Sequence, residues 1–284
     1  MRESGLVRPC GGPPARTWSI IVGLITATLL ASCAVACSVG DDPVVTDPRR
    51  AGEPSNAELL LQFDEVAVPG DAVPSAVNDG RVEASVSVVT WAGGRLAWDR
   101  GWEGGGVRTP AFGAAQRTPT AALVVVPTVE RELEPGTRDF VIGVDFAADA
   151  PESGRPGDNG DNLLQRGRFD AMAQFKLQLD HGVPGCRLSG DKGAVVVVAP
   201  DPVQPGHWYR LTCQRTAGRV GLQLTDLESG VTVGEWWKRA DPGDIRFTGV
   251  PVSVGAKVSD AGRIDPAGSD QFHGVIDRVV VDIS

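Results

Sequence analysis

Three kinds of residue in this 284-residue chain are equipped for chemistry: carboxylates, histidines and cysteines. A retaining glucanase working from a β-strand carries Glu-x-Asp-x-x-Glu, because alternate residues share a face and acid and nucleophile must stand about 5 Å apart. No glutamate here has an aspartate two residues later. The histidines, His181, His207 and His273, show no metal-ligand spacing to one another. His207 precedes Trp208 at the start of an apolar run, where an exposed polar residue is the ordinary reading. A Ser/His/Asp triad can be assembled from distant positions, but no Gly-x-Ser-x-Gly elbow marks one. Asp158, Asn159, Gly160 and Asp161 resemble a calcium loop in composition yet lack EF-hand spacing, so they read as a polar turn.

Binding residues are better represented. Trp91, Trp98, Trp102, Trp208, Trp236 and Trp237 lie in the body of the chain with a single tyrosine, Tyr209. Most tryptophans of an exported domain fill its core or cover its edges. Exposed indoles stack on sugar faces, and Trp98 and Trp102, which bracket Asp99 and Arg100, are the candidate ligand-binding pair.

The first residues carry an address. Arg2, Arg8 and Arg16 precede an uncharged apolar run from Trp18 to Leu30, the charge and length of a signal-peptide core. Three outcomes compete. Leu30-Ala31-Ser32-Cys33 looks like a lipobox, which would make Cys33 the lipid-bearing first residue, and this reading leads. Ala34-Val35-Ala36 offers an ordinary cleavage site, and the uncharged run to Gly40 is long enough for an uncleaved anchor. All three place the rest of the chain outside the cytoplasm, at the cell surface or secreted.

Cysteine usage agrees with export. Cys10, Cys33 and Cys37 fall in the targeting region, leaving Cys186 and Cys213 as the only pair in the body. An exported pair most simply forms a disulfide. A metal site would need two further soft ligands. The net charge of −9 argues against nucleic acid or anionic head groups as partners.

The elements that would position these residues are strands. Gly (36) and Pro (21) are abundant, as many tight turns require. Val82, Ala84, Val86 and Val88 alternate with polar residues. Phe140, Ile142, Val144 and Phe146 alternate with Val141, Gly143 and Asp145; Phe175, Leu177 and Leu179 with Gln174, Lys176 and Gln178; and Val220, Leu222 and Leu224 with Arg219, Gly221 and Gln223. Each has one buried and one wet face. With Leu123 to Val126, Val195 to Val198 and the runs at 58–63, 206–214, 231–237, 251–256 and 274–283, about a dozen strands are expected and no helix. The expected architecture is all-β: an antiparallel β-sandwich over residues 57–284, after a targeting segment (1–37) and a flexible tether (38–56).

The order of the motifs supports a family resemblance. DNLLQRGRF, AQFKLQLD, the two cysteines, PGHWYRLTCQR, GLQLTD and the ending PVSVGAKV…FHGVIDRVVVDI resemble the laminin-G-like, concanavalin A-like jelly roll of exported bacterial proteins. The resemblance covers essentially residues 57–284. It implies a non-catalytic module that binds a glycan or a protein at the cell surface, expected to act as a monomer. A polysaccharide-active hydrolase or lyase on the same fold is the alternative, and a structural envelope module the third. In that family the first and last strands are neighbours, so Asp64 and Asp277 are candidate ligands for a structural calcium ion, with solvated charges or an Asp277–Arg278 ion pair as the plainer readings. The family's acidic turn survives here only as Pro74, Ser75, Asn78, Asp79 and Gly80, and no other cofactor is expected.

Overall fold

The computed structural model describes residues 56–65, 67–111, 119–150, 160–266 and 268–284. The targeting segment with Cys33, and the tether up to Ser55, lie outside the described residues, as do Asp158 and Asn159. The described chain forms β1 (Leu59–Leu61), β2 (Ala84–Trp91), β3 (Ala97–Arg100), β4 (Gly105–Arg108), β5 (Thr120–Pro127), β6 (Phe140–Ala148), β7 (Asp161–Arg166), β8 (Gln174–Asp180), β9 (Val183–Gly190), β10 (Gly193–Val198), β11 (Trp208–Thr216), β12 (Arg219–Asp226), β13 (Val231–Lys238), β14 (Val252–Val254) and β15 (Gly274–Ile283). Among the described residues the only helical element is a 3-10 turn, Glu130–Leu133.

Two antiparallel sheets result. One runs β13-β12-β11-β6-β15-β4-β3, with β1 also paired to β15. The other runs β10-β9-β8-β7-β14-β5-β2. Period-two alternation decides which residues meet between them: Tyr209, Leu211 and Cys213 of β11 face Phe175, Leu177 and Leu179 of β8 within one shared core. Phe146 meets Phe272 edge to face at 6.0 Å between centroids, and Phe175 meets Phe247 the same way at 5.6 Å.

Glycine allows close approach between neighbouring strands at the centre of the larger sheet. A β-carbon at Gly143 of β6 would lie 2.9 Å from Cγ1 of Val280 on the neighbouring β15, so any larger residue would displace that valine. At one end of the sandwich, two arginines turn inward and bind loop carbonyls. Arg166 donates to the carbonyls of Val250 (2.8 Å) and Leu133 (2.9 Å) and lies over the Phe247 ring; Arg215 donates to those of Gly243 (2.7 Å) and Gly136 (2.9 Å) and lies over Phe140. Burial pushes the Arg166 guanidinium down to about 10, partly opposed by Glu134 and Glu130.

Cys186 of β9 and Cys213 of β11 form the expected disulfide, with α-carbons 5.9 Å apart. It is buried and crosses from one sheet to the other. A structural bond of this kind belongs to an oxidising, extracytoplasmic compartment.

The structure adds strands that periodicity did not reveal. β3 and β4 are only four residues each, too short to show alternation. The run Val195 to Val198 is the second strand of the hairpin β9–β10, whose first strand the alternation did not mark. No helix among the described residues is long and apolar enough to cross a membrane.

Candidate functional site

The outer face of the seven-stranded sheet carries a cleft that gathers polar and charged side chains from several strands. Register aligns Gln165 (β7), Lys176 (β8), Arg187 (β9) and Val196 (β10) in one outward row. Gln178, Gly185 and Val198 form the row beside it, and Gln174 lies on the other side. These rows floor a cleft of about 470 Å³. A cleft of that size suits a few sugar rings or a short peptide.

Its walls come from two loops. The β7–β8 loop raises Phe169, 77% exposed, over one side. The guanidinium of Arg187 stacks beneath that ring at 4.6 Å and donates to the Phe169 carbonyl and to Oε1 of Gln174, so the aromatic ring is held rather than free. The chain between β14 and β15 supplies the opposite wall with Lys257 and Asp270.

Asp270 adopts a φ of +45°, a left-handed conformation that costs a non-glycine residue about 1 kcal/mol. Its carbonyl accepts the N–H of Asn162 at 2.8 Å, and its buried carboxylate stands 3.3 Å from both Lys176 and Lys257. Burial lowers the pKa of Lys176, and the Asp270 carboxylate works against that fall.

A bulge sets the polar floor. Asn162 pairs with Gln178 but Leu164 pairs with Leu177, so β7 holds one extra residue at Leu163. Both leucines can then be buried while Asn162 and Gln165 reach one another, the Asn162 amide donating to Oε1 of Gln165 at 2.6 Å. Gln165 and Gln174 in turn donate to the Gly167 carbonyl at 2.6 and 3.0 Å. The cleft wall is thereby tied to its floor.

The sequence-derived candidates lie elsewhere. Trp98 is 8% exposed and belongs to the main core, so its indole is not offered to a ligand. Trp102 is half-buried on the β3–β4 turn, and no tryptophan lines the cleft. Trp236 packs on the core and Trp237 lies under Arg219 at 4.1 Å. His181 pairs with Asp180, His207 sits 3.5 Å from Glu228, and His273 is buried against the Pro110 carbonyl; the three do not converge.

Asp64 and Asp277 do approach the same turn. β15 carries an extra residue between Ile276 and Val279, and in that bulge the Oδ2 of Asp277 accepts the N–H groups of Trp102 (2.9 Å) and Glu103 (3.0 Å). Asp64, just beyond β1, accepts the N–H of Gly105 at 3.3 Å. Asp277 is 4% exposed, so the reading of it as a solvated charge does not hold. Burial, with Asp145 and Asp64 nearby, pushes its carboxyl up to about 7 against the two N–H donors. Asp145 is itself held by Arg210 in a two-pronged ion pair at 2.7 and 2.6 Å. The turn thus presents N–H groups to both candidate ligands, a polarity suited to an oxygen acceptor rather than a cation. Among the described residues no group of three or more His, Cys, Asp or Glu is arranged to hold a metal ion.

The cleft was missed because no local pattern marks it. The alternation of Gln174, Lys176 and Gln178 predicts a wet strand face, but the structure buries Gln174 and Lys176 and leaves Gln178 half-exposed, because walls from residues about a hundred positions apart rise over that face.

No family model and no curated protein matches the chain. Solved structures do. Domain 4 of AbnA, a GH43 extracellular arabinanase from Geobacillus stearothermophilus, in complex with arabinotriose, superposes with a TM-score of 0.51 at 13% identity, over 80% of this chain and 91% of that one. The binding domain of botulinum neurotoxin serotype G gives 0.50 at 8% identity, over 80% of this chain and 47% of that one. The binding domain of Paraclostridial Mosquitocidal Protein 1 gives 0.50 at 10% identity, over 80% and 48%. With the two antiparallel sheets and their shared core, these likenesses make the described domain a β-sandwich of the concanavalin A-like lectin/glucanase fold.

Proposed function

We propose that the chain is an exported, non-catalytic binding module that recognises a glycan in the cleft on the outer face of the seven-stranded sheet, held at the cell surface through Cys33. The observation that carries this reading is the pairing of one upstanding aromatic ring, Phe169, with the half-exposed Gln178 amide and Arg187 guanidinium on a floor that Gln165 and Gln174 brace through the Gly167 carbonyl. An apolar ring surface beside directed hydrogen-bonding groups is what a sugar, apolar on its faces and polar at its rim, requires. The arabinotriose held by one structural neighbour is in keeping with it.

Binding is preferred to cleavage because the cleft lining holds one carboxylate, Asp270, already engaged by two lysines. Glycoside hydrolysis by the common route needs two. A protein partner is the second reading, favoured by the exposed Val231 and Val233 on the edge strand β13.

A glycan array probed with the full chain in non-ionic detergent tests the leading reading. Binding is expected to fall at least about tenfold with Phe169→Ala, the loss of roughly 1.5 kcal/mol of aromatic contact. Array hits that Phe169→Ala leaves untouched would place the ligand elsewhere.

A further inference from the structure

We infer that the cleft takes an acidic glycan, one bearing a carboxylate or a sulfate. This rests on the glycan-binding reading above and names its ligand class. The chain as a whole carries a net charge of −9, yet the residues lining the cleft include Lys176, Arg187 and Lys257 against Asp270 alone. A local cationic excess on an acidic protein runs against its mean field, and it is concentrated where a ligand would lie.

Arg187 is the sharpest part of that excess. The groups it meets among the described residues are uncharged: Gln174, the Phe169 carbonyl and the Phe169 ring. It is half-buried, and burial alone lowers its affinity for the proton. A planar guanidinium so placed retains donors for an acidic oxygen and matches a carboxylate or sulfate edge. Lys176 and Lys257 share one carboxylate, so that trio still carries one positive charge. The acid group would bind Arg187, within the positive field of Lys176 and Lys257, while the sugar ring lies against Phe169. A purely structural account leaves Arg187 without a counter-charge in a half-buried site, an arrangement that costs stability.

The test uses the full chain in non-ionic detergent, titrated calorimetrically with polygalacturonate and its carboxyl-reduced counterpart, with dextran sulfate and dextran, and with poly-L-glutamate. At least one acidic polysaccharide is expected to bind about tenfold or more tighter than its neutral counterpart, with the gap closing in about 1 M NaCl. Which acidic probe wins separates carboxylate from sulfate as the group recognised. Arg187→Gln should lose about tenfold on the acidic member and less than twofold on the neutral one. Lys257→Gln at the rim should show the same asymmetry and serves if Arg187→Gln does not fold. Equal binding of acidic and neutral members overturns the acidic-ligand inference and leaves the glycan reading standing. Binding of poly-L-glutamate as tight as that of the acidic glycans also overturns it, since charge alone would then suffice. No binding to any polysaccharide overturns both.

Discussion

Asp277→Asn is expected to stabilise the protein at alkaline pH and to leave it nearly unchanged near pH 4. In the unfolded chain this carboxyl titrates at an ordinary 3.8; in the fold it is pushed up to about 7, chiefly by burial in the β15 bulge. Between those values the native state holds a proton that the unfolded state has released. Stability therefore falls as pH rises through that window and levels off above it. At about 1.4 kcal/mol for each tenfold change in proton affinity, the rise amounts to about 4 kcal/mol at pH 8. Asparagine carries no charge to desolvate, and its carbonyl oxygen can accept the same two N–H groups from Trp102 and Glu103. It also removes repulsion from Asp145 and Asp64.

The assay is urea unfolding of wild type and variant at pH 4.5 and pH 8, each with calcium and with EDTA. With a slope of about 2.5 kcal/mol/M, the variant's midpoint should exceed wild type by about 1.5 M at pH 8 and by about 0.4 M at pH 4.5. Taking the difference between the two proteins cancels the other titrating groups. A variant less stable than wild type at pH 8, or a gap independent of pH, would refute the reasoning. So would a calcium-dependent rise in the wild-type midpoint that the variant lacks, because the carboxylate would then be ionised against a cation.

Two further outcomes test the frame around the cleft. Replacing Cys186 and Cys213 together by alanine should lower unfolding stability by about 3.5 kcal/mol, the loop-entropy value for a separation of 27 residues, seen as a lower urea midpoint; an unshifted midpoint would mean that the cross-link does not constrain the unfolded chain. Asn78 ties the first strand to the loop after it, its Oδ1 accepting the N–H groups of Leu60 and Gly80 at 2.9 Å each and its amide donating to the Val82 carbonyl at 2.6 Å. Asn78→Ala should therefore cost about 2 kcal/mol and lower Tm by roughly 4–8 °C in a scanning calorimeter, and a fall below about 1 °C would show water replacing those bonds.

The β-sandwich was legible in the residues because its cause is local. Alternation such as Phe175-x-Leu177-x-Leu179 can be satisfied only by an extended segment with one face buried, and enough such segments must close two sheets over a common interior. The disulfide was legible for a different reason, since only two cysteines lie outside the targeting region. Side-chain type, by contrast, did not separate Trp98 in the core from a surface platform, because an indole is equally at home in either place.

What the tertiary structure alone decided are the relations between distant residues. Asp277 lies in an apolar strand whatever its surroundings, but its pKa is raised by tertiary burial, with Asp145 and Asp64 nearby, against the two N–H donors of a turn about 175 positions away in the chain. The cleft likewise exists because strand register sets Arg187 beside Lys176, and because loops near Phe169 and Asp270 rise on either side of that row. Periodicity along a chain reports which side of a strand is wet; only pairing across strands determines which wet side chains stand together, and with what net charge.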